Sequence, residues 1–127
     1  MDVEKLKDIF LDIKNSVNGI KEVLVITEDG FPVVSTLEAG DEEVRYTAGG
    51  AILCNAGQRG VTELNLGEIE AVVTIGTEGY FVLAPVASEM YMMIIASSNV
   101  ALGMVLMKLR KAVPVVRDEF RGRLERR

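Results

Sequence analysis

The stretch Val23-Leu24-Val25-Ile26-Thr27-Glu28-Asp29-Gly30-Phe31-Pro32-Val33-Val34-Ser35 sets two β-branched runs around an acidic, glycine-ended turn. β-Branched residues suit the pleated, half-buried surface of a sheet. Asp-Gly between two such runs is a strong short-range hairpin signal. Pro32 has no N–H to give to a ladder, so the second strand is expected at a sheet edge.

On the N-terminal side, Val3, Leu6, Phe10, Ile13 and Val17 recur at spacings of three and four, which is one face of a helix. Lys5, Lys7, Asp8, Asp12 and Lys14 take the other side, and Asn18-Gly19 supplies the stop. On the C-terminal side, Glu38–Glu42 is polar and reads as a loop, with Asp41 as N-cap of a second helix running to about Leu64. That helix contains four glycines, each costing about 1 kcal/mol against alanine. Close packing of its small residues on a sheet and on another helix would offset this cost. Glu68 to Gly76 alternates, placing Ile69, Ala71, Val73 and Ile75 on one face of a third strand. Tyr80–Val86 and Met90–Ala96 read as two more strands, apolar on both faces as in a covered sheet centre. Three-residue turns join these last three strands into an antiparallel meander. A final helix follows Asn99, with Leu102, Val105, Leu106, Leu109, Val113, Val116 and Phe120 in one stripe. Pro114 is expected to kink or interrupt it, and the polar end beyond Gly122 to fray.

The expected fold class is therefore α+β, in the order αββαβββα: one five-stranded antiparallel sheet, with the first and last helices on one face and the second helix on the other. The 127 residues suit one domain, and an apolar fraction of 49% suggests that some apolar surface is buried against another subunit. Met90–Met107 carries no charge and is long enough to span a bilayer, but Ser97-Ser98-Asn99 divides it into a strand and a capped helix. Cys54 is the only cysteine, which fits a reducing compartment, and the N-terminus lacks the pattern of a secretory signal. The net charge of −5 is polarised, because Lys108–Arg127 holds eight basic residues against three acids. Such a bias arises either from cations favouring a helix C-terminus or from a binding tail.

The chemistry is notable for what is missing. Without histidine, the commonest general base, the Ser-His and Cys-His pairs and most zinc sites are excluded. Neither phosphate-loop pattern occurs. Gly57-Gln58-Arg59-Gly60 matches a bare G-x-x-G, but it lies within a helix of an acidic chain, so nucleic acid is not expected. Glu68 and Glu70 share a strand face and read as solvated, and Cys54 reads as packing. No catalytic, cofactor or metal site is expected.

Gly19 to Val33, the alanine- and glycine-rich second helix, the glycine-bounded Gly79-Tyr80-Phe81-Val82-Leu83-Ala84-Pro85-Val86 and the helix after Ser97–Asn99 together resemble the roadblock family, in its archaeal or bacterial form. The resemblance covers nearly the whole chain, implying a single roadblock-like domain over residues 1–127 with the roadblock/profilin-like arrangement. It implies a cytoplasmic, non-catalytic homodimer, paired through its second helices and third strands into one continuous sheet. Gly49, Leu53, Ala56, Gly57 and Gly60 of the helix, with Ile69, Ala71 and Val73 of the strand, would form that interface. Relatives bind or regulate small Ras-like GTPases or act as scaffolds, and in several the paired second helices face the GTPase. By that resemblance Arg45, Asn55, Gln58 and Arg59 become candidate partner contacts. The same residues also fit the plain solvated side of a helix. A scaffold without effect on nucleotide hydrolysis is the alternative function.

Overall fold

A computed structural model describes the backbone of residues 2–125 and the side chains of residues 2–121. Its elements are α1 (Val3–Ser16), β1 (Ile20–Thr27), β2 (Pro32–Ser35), α2 (Asp41–Glu63), β3 (Val72–Ile75), β4 (Gly79–Ala87), β5 (Met90–Ser97) and α3 (Leu102–Glu125). They follow the expected order. The strands form one antiparallel sheet in the order β2-β1-β5-β4-β3.

Local chemistry sets the ends of these elements. Asp2 caps α1 by accepting from the Lys5 N–H at 3.1 Å. Gly30, at φ +90°, closes the β1–β2 turn, where the Thr27 N–H donates to the Phe31 carbonyl at 2.9 Å. Pro32 does lie on an edge strand. Strand alternation divides the core into two layers. Val23, Val25, Val82, Met92 and Ile94 meet Leu6 and Phe10 of α1 and Val105, Leu109 and Val116 of α3. Leu24, Ile26, Leu83, Tyr91 and Met93 point the other way, where α2 covers them with Cys54. The two-sided burial of β4 and β5 explains why both are apolar throughout.

Glu22 is a charged group on β1 and is only 7% exposed. It accepts from Lys14 Nζ at 2.5 Å and from Thr36 Oγ1 at 3.2 Å, tying α1 to the strand. Lys14→Met should leave that carboxylate without its cation, costing about 2 kcal/mol. Urea denaturation checks this, and an unchanged midpoint would mean that Thr36 and water suffice.

Several boundaries differ from the sequence reading. β1 begins at Ile20, ahead of the hydrophobic run. Gly40, not Asp41, is the N-cap of α2; Asp41, Glu42 and Glu43 instead fill its first turn, where they favour the helix dipole. Pro114 does not interrupt α3: the residue is exposed, so water can satisfy the carbonyl its ring leaves unpaired. The helix extends through Gly122 to Glu125, and Arg126 and Arg127 lie outside the described residues. Met90–Met107 is split between β5 and α3, and among the described residues no helix is long and apolar enough to cross a membrane.

β3 is the largest correction. Only Val72–Ile75 is strand, not Glu68–Gly76. Continued along β4, the register would set Ala71 against Ala84 and Glu70 against Pro85, which has no N–H and whose carbonyl accepts from Arg117 Nη2 at 3.0 Å. Residues 68–71 therefore leave the ladder, and the period of two fails across them. Ile69 packs beneath α2, whereas Val73 pairs with Val82 on the opposite face of the sheet.

Candidate interaction surface

The glycines of α2 are of two kinds. A Cβ on Gly50 would fall 2.7 Å from Ile26 Cδ1 and 2.9 Å from Met93 Sδ. One on Gly57 would fall 2.7 Å from Val72 Cγ2 and 3.0 Å from Ile69 Cδ1. Both glycines let the helix backbone lie directly on side chains of the sheet layer. At Gly49 and Gly60 an added Cβ would meet nothing within 4 Å, so those glycines face open space. Glycine is costly in a helix interior, and nothing among the described residues requires it at these two positions.

The small-residue set of the sequence is thereby divided. Gly57 belongs to the inward side, Leu53 is half-buried against the core beneath α2, and Ala56 is exposed. Ile69 is half-buried, Ala71 is exposed, and Val73 is 41% exposed at the free edge of the sheet. Ile75 beside it is 67% exposed. β3 thus offers a short strand with unpaired backbone and bare apolar side chains, a combination that invites pairing.

The polar candidates also separate. Asn55 Nδ2 donates to the Glu28 carbonyl at 3.0 Å and to the Ala51 carbonyl at 2.8 Å. Gln58 Nε2 donates to Glu28 Oε1 at 2.8 Å and to the Tyr91 hydroxyl. Both amides thus fasten the β1–β2 turn to α2. Arg45 and Arg59 are exposed on the outward side and take part in neither of the two ion pairs found among the described residues, Lys5–Glu119 and Lys14–Glu22. They stand about four helical turns apart, about 21 Å at 1.5 Å per residue. Ile52, midway between them and 66% exposed, completes the row. Its spacing of seven residues from each arginine places it on their row from the sequence itself.

Burial, and secondarily the charge of Glu28, push the Cys54 thiol above its ordinary range, the opposite of what a nucleophile needs. No cluster of three metal-ligating side chains occurs among the described residues. Glu68 and Glu70 lie exposed on the wall of a cleft of about 890 Å³, with Arg110 and Arg117 of α3 on the opposite wall.

Comparison with known proteins gives a consistent picture. A family model described as the Roadblock/LC7 domain matches residues 6–96. No curated protein sequence matches significantly. Among solved structures, a Roadblock/LC7 domain from Streptomyces avermitilis is similar at a TM-score of 0.82, with 13% identity over 90% of this chain and 96% of that one. MglB of Myxococcus xanthus is similar at 0.83, with 15% identity over 96% and 99%. The gliding protein MglB of Thermus thermophilus is similar at 0.77, with 12% identity over 91% and 88%.

Proposed function

This chain belongs to the Roadblock/LC7 domain family, and from that premise we propose that it is a cytoplasmic homodimer that binds and regulates a small Ras-like GTPase. Family membership and the likeness to MglB support the coarser statement, a regulatory or scaffold module. The observation that carries the finer one is the outward side of α2. Open glycines at 49 and 60 accept a second helix, while Arg45, Ile52 and Arg59 line the outward row. The free edge of β3 supplies the strand pairing that would join two sheets into one. Arginine beside an exposed aliphatic is the composition expected of a protein-binding patch. The regulator would contribute no active site of its own; it would act by ordering the GTPase's switch segments, with Arg59 as a candidate arginine finger.

The test is a double charge reversal, Arg45→Glu with Arg59→Glu, assayed against GTPases from the same source. Binding should weaken by about 100-fold or more, while the molar mass in solution stays that of the parent. Unaltered binding would reject the patch. Tight binding with unchanged hydrolysis would favour the second reading, a scaffold.

A further inference from the structure

The outermost stripe of α3 is not what a solvated helix face usually carries. Such a face is normally polar. Here Met104, Met107 and Val115 are 41%, 49% and 45% exposed. With Pro114 they alternate along the helix with exposed Arg110, Lys111 and Arg121. Among the described side chains of α3, acids do not balance the cations: Glu119 is held by Lys5 Nζ of α1 at 2.7 Å, which leaves Asp118, while Glu68 and Glu70 lie across the cleft from Arg110. The stripe is a positive ridge on a chain of net charge −5.

We propose that this stripe docks the protein on an anionic phospholipid surface. A helix lying in the bilayer interface needs apolar side chains along one line and cations beside it, the former sinking among the acyl chains and the latter meeting the headgroups. α3 offers both from Met104 to Arg121. Arg110 and Pro114 also border the cleft beside β4, but Met104, Met107, Lys111, Val115 and Arg121 do not, and their interleaved apolar side chains and cations suit a fluid bilayer, whereas an acidic polypeptide would use the cations alone. Glu4, Asp8 and Asp12 on neighbouring α1 are exposed and would be repelled, which makes α3 the point of contact. The sheet places α3 opposite α2, so a docked molecule would still present α2 to its partner. The proposal stands independently of the GTPase reading.

The test is co-sedimentation of the full chain with phosphatidylcholine vesicles, with and without about 30% phosphatidylserine. The expected result is binding only to the anionic vesicles, lost roughly tenfold in about 0.5 M salt. Arg110→Glu with Lys111→Glu should abolish it. Met104→Ser with Met107→Ser should weaken it about tenfold while retention on a heparin column is unchanged, since apolar insertion matters only for a bilayer. Far-UV circular dichroism confirms that each variant is folded. Equal binding to neutral vesicles, or full binding by the charge-reversal variant, would overturn the proposal. So would retention on polyglutamate with none on vesicles, which would give the stripe to an acidic protein.

Discussion

Gly60→Leu is expected to convert the proposed dimer of about 28 kDa, twice the chain mass of 13.9 kDa, into a folded monomer. The reasoning rests on where the new side chain goes. A Cβ at Gly60 meets nothing within 4 Å of its own chain, so the monomer suffers no clash. Leucine also gains about 0.8 kcal/mol of helix propensity over glycine. If α2 pairs with α2 through its small residues, the same leucine holds the two backbones apart and removes the close approach that glycine permits. A dissociation constant raised about 100-fold or more, some 3 kcal/mol, follows. Gly57→Leu is the contrasting variant. Its side chain would enter the space of Val72 and Ile69 and should lower the stability of the fold itself. Size exclusion with light scattering over a dilution series, beside thermal melts, separates the two. A Gly60→Leu chain that stays dimeric at every dilution would show that pairing does not run through this face of α2.

Gly19→Ala should have the largest effect on stability, about 3 kcal/mol, or roughly 10 °C in Tm for a chain of this size. Two penalties coincide. Gly19 has φ +107°, a conformation that L side chains rarely adopt. Its Cβ would also lie 2.5 Å from Val100 Cγ2 and 2.8 Å from Ser97 Oγ. Relief by movement is restricted, because the Gly19 carbonyl accepts from the Ser97 N–H at 2.8 Å and from Ser97 Oγ at 3.2 Å. This junction fastens the start of β1 to the end of β5 and to the turn that launches α3. Gly103→Ala is the control: in α3 the new methyl meets nothing within 4 Å and should be neutral or slightly stabilising. A loss below about 2 °C for Gly19→Ala would mean that the junction yields more readily than its hydrogen bonds suggest.

The order of elements, the sheet edge at β2, the two-sided burial of β4 and β5 and the placement of the helices were legible in the sequence because each depends on short-range chemistry. Asp29-Gly30 makes a turn, Pro32 cannot sit inside a ladder, and period two against period 3.6 separates strand from helix. Recognition of the family likewise came from that order and texture. The candidate surface was legible only in part. Small residues ring α2, so period alone could not say which glycines face the sheet. Packing against Ile26, Met93, Ile69 and Val72 assigned Gly50 and Gly57 inward and left Gly49 and Gly60 open. Asn55 and Gln58 look like free polar groups in sequence, yet Glu28 and Tyr91, about thirty residues away, engage them. β3 stops short of Pro85, whose carbonyl is taken by Arg117, 32 residues beyond it. Local pattern determines which elements form; only contacts between residues far apart in the chain decide which side of each element is spent within the fold and which side is left for a partner.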